Sequence, residues 1–497
     1  MYKMTENQLV LPEDFFLPFG GKLNKENRWV VLANLIPWWQ FEEAYANTMK
    51  RSSRGQQAFS VRMALGALYI QQRKGLSDRD TVEEITENPY LQYFIGLPEF
   101  QEEAPFNPSM MTHFRKRLDA DMINQLNEAI VMEELAGQSR EDDDDQDDDS
   151  DDNDDPPSEN TSSESADTQS DDQPANQGKL LLDATCTPAD IAYPTDLGLL
   201  NEAREKLEHI IDVLHAPHRG KKKKPRTYRQ KARKAYLSVA KQRKPKAKKM
   251  RKAIGKQLGF VERDLKIVSS LKEESSLSLL TRQEYKQLLV ISELCRQQRD
   301  MYDKRSKRID DRIVSISQPH VRPIVRGKAK AGTEFGAKVS VSLVNGYALM
   351  ENLDWDNYNE GTTLQESAER YKSRFGHYPE AILADQIYRN RENRQYCKEK
   401  GIRLSGPALG RPSKEKAQIQ KQLAKQDAAE RNEIEGKFGE GKRHYGMGLI
   451  FARLQQTSET VISIQLLVMN LERRLRLLFY YFFQRFFGIS VELKWAA

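Results

Sequence analysis

"KLLLDATCTPADIAYPTDLGLLNEA" runs from Lys179 to Ala203, and its reading decides the fold. Three leucines, Leu180–Leu182, lead directly into Asp183. A short apolar run bounded by polar and turn residues reads as a buried strand, here with a carboxylate at its end. Strand signals return downstream in "FGAKVSVSLVNGYALMENLDWDN" (335–357), where Asn345-Gly346 between β-rich runs predicts a two-residue hairpin. "EAILADQIYRN" (380–390) is a further apolar strand ending in Asp385, and "IRLSG" (402–406) a short last one. Helical patterns, "LQESAERYKSRFG" (364–376) and "NRENRQYCKEKG" (390–401), separate them. The alternation predicts an α/β domain.

Upstream, residues 1–136 read as an all-helical unit. "RMALGALYIQQRKG" (62–75) has helical apolar spacing, and Ser77 and Ser109 stand as caps before two further helices. Short helices in series suit a helix-turn-helix-like unit or an ordinary packing domain, and periodicity alone does not separate the two. Residues 137–178 carry almost no apolar side chain and read as a disordered acidic linker. Residues 204–317 read as a basic helical block. Residues 413–443 form a long polar helical pattern, which Gly436, Gly439 and Gly441 are expected to interrupt or end. The apolar stretch 477–489 is too short to span a bilayer and contains Arg485, so 476–497 reads as a buried or partner-facing segment. No apolar signal core opens the chain, so no membrane or secretory role is expected.

The formal charge of +5 on 497 residues hides two opposed blocks. Residues 141–172 hold 17 acids and no base, and outside them 78 basic residues face 56 acidic ones. A body that basic implies a polyanionic partner. Between Lys221 and Arg251 there are sixteen Lys or Arg, beginning with Lys221, Lys222, Lys223 and Lys224, and no acid. Such a stretch is either a solvated helix or a phosphate-tracking arm, and the absence of acids favours the arm. Cys186, Cys295 and Cys397 form no CxxC, which excludes a disulfide framework or zinc finger and fits a reducing compartment.

Three acids stand out by position. Asp183 and Asp385 end strands, and Glu435 lies on or near the helix after the last strand. Taken singly, each strand-end Asp also reads as a turn or cap residue, and Glu435 as a solvated helix residue. Taken together they suit phosphodiester chemistry, in which carboxylates from different elements hold two Mg2+ ions roughly 3.5–4 Å apart. The acidic run 141–155 has no apolar frame to fix such a geometry and reads as a tether, or as a DNA mimic shielding the basic block.

The words "LLLDAT", "YPTDLGLLNEAR", "RPIVRGKAKAGTEFGAKV", "ILADQIYRN" and "RNEIEGKFGEGKRHYG" occur in this order, and together they resemble the DDE transposases of bacterial insertion sequences. The group named for insertion sequence five is the most similar, and the likeness covers most of 15–140, then 179–203 and 318–475. The resemblance implies an RNase H-like catalytic domain, a mixed sheet with flanking helices, formed by 179–203 and 318–475 and interrupted by the block 204–317. It implies that Asp183, Asp385 and Glu435 bind two Mg2+, with Mn2+ as a substitute. Related transposases carry a Tyr-Arg-Glu-Lys signature, and Arg431, Glu435 and Lys442 keep its Arg-x3-Glu-x6-Lys spacing as expected phosphate clamps. The Tyr position holds Ala428. The implied partners are the terminal inverted repeats, target DNA and a second copy of the chain, at the bacterial nucleoid in the cytoplasm. A catalytically inactive DNA-binding derivative, or a two-metal nuclease without strand transfer, is the alternative.

Overall fold

The computed structural model describes residues 10–18, 20–49, 57–144, 175–325, 332–407 and 414–487. Its centre is a mixed six-stranded sheet. Strand β1 (Lys179–Pro188) lies between β3 (Thr333–Val344), to which it is antiparallel, and β5 (Ala381–Ala384), to which it is parallel. Strand β6 (Arg403–Leu404) adds in parallel beyond β5. On the far side of β3 lie β2 (Arg322–Val325) and β4 (Tyr347–Asp354), both antiparallel to it. The β3–β4 hairpin turns on Asn345 and Gly346, with φ of 48° and 77°, the paired positive angles that Asn-Gly tolerates.

Among the described residues seven α-helices precede the sheet: α1 (Arg28–Leu35), α2 (Glu42–Asn47), α3 (Val61–Lys74), α4 (Asp78–Glu87), α5 (Pro89–Phe94), α6 (Met110–Arg117) and α7 (Ala120–Asp144). Ser77 caps α4 through Asp80 N, whereas Ser109 precedes α6 without a side-chain cap bond. Helix α7 runs past residue 137, where the linker is expected to begin, to Asp144; residues 145–174, which hold most of the acidic run, lie outside the described residues.

Between β1 and β2 stand four helices, α8 (Asp196–His215), α9 (Arg229–Ala240), α10 (Ala247–Glu274) and α11 (Arg282–Lys304). They enclose their own core, in which Leu200, Leu207 and Ile211 of α8 meet Leu258 and Val261 of α10 and Ile291 and Leu294 of α11. The boundary expected at 203/204 therefore cuts through a helix: Leu199, Leu200 and Ala203 pack in the same core as Leu207.

The last four helices flank the sheet: α12 (Leu364–Phe375), α13 (Arg391–Glu399), α14 (Lys414–His444) and α15 (Gln455–Phe487). Alternation sorts the strands into two faces. Leu180, Leu182, Ile382 and Ala384 meet Leu364, Ala368 and Tyr371 of α12 and Cys397 of α13. Leu181, Leu383, Val339 and Val341 join the core that holds α15 and the N-terminal helices.

Helix α15 is buried on almost every side from Val461 to Leu475, with Ser463, Gln465, Asn470 and Glu472 buried among its apolar residues. It runs through the boundary expected at 475/476, so the aromatic stretch to Phe487 extends a core helix; residues 488–497 lie outside the described residues. Helix α14 is likewise continuous through Gly436, Gly439 and Gly441, contrary to the expected break. Gly441 has a packing reason, since a Cβ there would stand 2.4 Å from Met447 Sδ and 3.0 Å from Met469 Sδ. Glycine lets α14 approach α15.

Candidate active site

Strand register brings the first two acids together. Leu182 pairs with Ala384 in the parallel β1–β5 ladder, so Asp183 and Asp385 are the next residues on adjacent strands. Both follow the alternation of Leu181 and Leu383 and so belong to the face that α14 crosses. Ile434 of α14 is fully buried in that core, and its neighbour Glu435 is more than half exposed at the rim.

Arg431 ties the second acid to the third. Its guanidinium is 3.4 Å from an Asp385 oxygen and 3.6 Å from a Glu435 oxygen. Arg431, Glu435 and Lys442 lie at helical positions i, i+4 and i+11, which share one face of α14. Ala428 stands one turn before Arg431 on the same helix and is exposed. Asp385 Oδ1 accepts from Gln386 N at 2.7 Å, so the turn reading of this residue also holds in its local geometry.

Asp183 is electrostatically exposed to like charge while being removed from water. Burial is the main cause that lifts its carboxyl to about 6, with further push from Glu360 and Asp385. The hydrogen bond from Ala184 N, 2.8 Å long, and the charge of Arg431 offset only part of this. A largely buried carboxylate facing more negative than positive charge has the donor chemistry a divalent cation would satisfy. Among the described residues, however, no three His, Cys, Asp or Glu side chains converge into a ready metal cage.

Two residues beside the site were not anticipated. Glu360, on the turn Glu360–Thr362, is the carboxylate that most opposes ionisation of Asp183. Lys338 of β3 pairs with it at 2.8 Å while only 7% exposed. A lysine inside the apolar run of β3 was the available signal, since lysine is rarely buried without a partner.

The other sequence candidates lie elsewhere. Lys221, Lys222, Lys223 and Lys224 are exposed in the loop before α9, where Lys222 pairs with Glu274 at 2.9 Å and Lys224 with Asp212. No described contact joins these lysines to the carboxylates. Helix α9 presents Gln230, Arg233, Lys234, Leu237 and Lys241 along one shallow outward groove, with Ala232 and Val239 buried behind. Trp355 is a packed residue: its indole donates to Glu459 at 2.8 Å and meets His320 edge-on. All three cysteines are buried, and none of them forms a disulfide. Among the described residues no helix is long and apolar enough to cross a membrane.

Residues 18–117 match the family described as Transposase domain (DUF772), and residues 382–472 match the family described as Transposase DDE domain. The second match spans Asp385, Arg431, Glu435 and Lys442 and begins inside β5, leaving Asp183 outside it. A Rhizobium meliloti protein described as "Uncharacterized protein ORF8 in nfe locus" is 30% identical over 199 residues, which is 40% of this chain and 77% of that protein. No solved structure matches the chain. Two transposase matches in one chain, one over the N-terminal helices and one over the elements that carry Asp385 and Glu435, place this protein among the DDE transposases of bacterial insertion sequences.

Proposed function

We propose that this transposase, of the insertion-sequence-five group, cleaves the ends of its element and joins the released 3′-OH to target DNA. One observation carries the reading: β1–β5 register sets Asp183 beside Asp385 on the face crossed by α14, which bears Glu435 and Arg431. The strand pattern supports an RNase H-like core, with three antiparallel strands, β1, β3 and β4, followed by two strands parallel to β1. Helices α8–α11 are then an insertion after the first strand.

Asp183, Asp385 and Glu435 would hold the metal. When bound, two Mg2+ ions, or Mn2+ in their place, supply Lewis acidity at the attacking and leaving oxygens of the phosphodiester. Arg431, already between two of the acids, could turn to a phosphate oxygen, and Lys442 continues the same basic face three turns on. The N-terminal helices would read the inverted repeats. The loop 221–228 and the groove of α9 would supply sequence-independent, salt-sensitive affinity. Two element ends held together imply a dimer.

Asp183→Asn is expected to lower end cleavage by more than about a hundredfold while leaving affinity for end DNA within about twofold. Labelled end DNA, scored for nicked and joined products and for binding, measures both. Full cleavage by the variant removes the assignment. Nicked products without joined ones from the unaltered chain would favour a nuclease.

A further inference from the structure

The segment between α14 and α15, residues 445–454, crosses the seam between the N-terminal helices and the sheet, and it is pinned on both sides. Towards the sheet, Ile450 N donates to Pro188 O at 2.8 Å and Ile450 O accepts from Asp190 N at 3.0 Å, a parallel bridge onto the end of β1. Towards the N-terminal helices, Gln456 Nε2 donates to Lys116 O of α6 at 3.3 Å, and Thr460 Oγ1 to Arg115 O at 3.0 Å. Ser458 Oγ donates to Ala452 O at 2.9 Å and so holds the end of the segment.

Side chains alternate along the extended backbone of the bridge. Ile450 is buried, and Ala452 packs against the same core. Leu449, Phe451 and Arg453 therefore form an outward row, in which Phe451 is 71% exposed. Ile450 already anchors the segment, so packing gives no reason for a phenylalanine in water beside it. Nor does Phe451 stand alone. Tyr193, 78% exposed, stands edge-on to Phe335 at 5.7 Å, and the Phe335 carbonyl accepts from Ala189 N next to the same bridge. Base frames this apolar row: from Gly441 to Ser458 the chain has Lys442, Arg443, His444 and Arg453 and no acid. Across the seam His113 and Lys116 of α6 are exposed, while Asp190 is an exposed acid at the edge. Facing a second copy across a two-fold axis, the row would set these cations against their own mates. Facing DNA, it has the make-up of a minor-groove wedge, with apolar side chains entering at a base step and bases holding the phosphates.

Two routes give its distance from the candidate site. Helix α14 rises about 1.5 Å per residue, so Glu435 to His444 spans about 14 Å. Strand β1 advances about 3.3 Å per residue, so Asp183 to Pro188 spans about 17 Å. Both routes end at this segment, and at about 3.4 Å per base pair they amount to about four or five base pairs.

We propose that residues 449–453 are a DNA wedge: Phe451, with Leu449 beside it, enters the minor groove of the element end about four or five base pairs from the cut phosphate, on the side that leads to α6, and Arg453 holds the adjoining backbone. This rests on the transposase reading above and deepens it, by naming what grips the duplex between the unit that reads it and the centre that cuts it.

Hydroxyl-radical footprinting of the full chain on a duplex carrying the element end tests this, with affinity and its salt dependence as further readouts. The unaltered chain should protect sugars about four or five base pairs from the cut. Phe451→Ala should lose that protection and bind the end about tenfold more weakly. It should keep the slope of affinity against salt and the melting temperature, because the side chain is uncharged and exposed. Arg453→Gln should lower the salt slope by about one. Leu289→Ala, at an exposed leucine of α11, should change nothing. Unchanged footprint and affinity in Phe451→Ala, with cleavage still lost in Asp183→Asn, would overturn the wedge alone. Unchanged DNA binding with an altered oligomeric state in Phe451→Ala would give the row to a second copy of the chain and overturn the wedge as well. Full cleavage by Asp183→Asn, beside a footprint that Phe451→Ala erases, would remove the three acids and leave the wedge standing.

Discussion

At the scale of single residues, the candidate site stores instability. The Asp183 carboxyl rises from its ordinary 3.8 to about 6, chiefly through burial and secondly through Glu360. A folded-state value above the unfolded one means that the folded chain binds the proton more tightly. The penalty is absent below pH 4, grows as pH rises through the window to 6, and is fully present above it. A shift of that size corresponds to about 3 kcal/mol at most. Asp183→Asn is therefore expected to be more stable than the unaltered chain at pH 7.5 in EDTA and equal to it near pH 3.5. Denaturant titrations at the two pH values check this, and equal stability at both would mean that burial of Asp183 costs nothing. Adding Mn2+ should raise the melting temperature of the unaltered chain only, because cation binding to the folded state stabilises it by mass action. The gain in stability and the loss of cleavage in one variant would mark Asp183 as a residue kept for chemistry and not for folding.

At the scale of elements, legibility in the sequence followed locality. Asp183 and Asp385 could be singled out because each ends an apolar run, a pattern contained within a few residues. The Asn345-Gly346 hairpin was legible for the same reason. Glu435 had no such local mark and stood out only by its place on or near the helix after the last strand and through the family resemblance. Glu360 had none at all: its place depends on Lys338, twenty-two residues earlier, and on Asn393, thirty-three later. The continuity of α14 was misread because three glycines in six residues suggest a break, while the reason for one of them lies in Met447 and Met469. The reading of that helix can be tested position by position. A Cβ on Gly436 would meet no neighbouring atom within 4 Å, so Gly436→Ala should stabilise the chain by about 0.5–1 kcal/mol through helix propensity. Gly441→Ala must displace a methionine sulfur and should destabilise by about 1–3 kcal/mol. Chemical denaturation of the two variants measures both signs. Destabilisation by Gly436→Ala would mean that α14 breaks there after all, which would also unfix the helix turn that presents Glu435.

At the scale of the whole molecule, the N-terminal helices and the sheet share one core, and α15 is the joint between them. Its buried Glu472 receives Arg28 of α1 at 2.7 Å, Arg73 of α3 at 2.8 Å and the Tyr69 hydroxyl at 2.9 Å. One turn's reach away, Asn470 accepts from Ala348 N at 2.9 Å and donates to Ala348 O at 2.7 Å and to Asn127 at 2.8 Å, binding β4 and α7 to the same helix. A unit that reads DNA ends through α1–α6 and a centre that cuts through β1, β5 and α14 would then be fixed relative to each other, so the distance from recognised sequence to cut would be set by the fold and not by a hinge. Removing the carboxylate leaves two part-buried guanidiniums unpaired, so Glu472→Ala should destabilise by about 3–5 kcal/mol. The form of the loss discriminates more than its size. With one shared core, hydrogen exchange in α3 and in β1 should speed up together in the variant, and in the unaltered chain both should report the same global opening. Loss of protection in α3 with β1 unaffected would mean that the N-terminal helices open as a separate unit, and that end recognition reaches the cutting site through a movable joint.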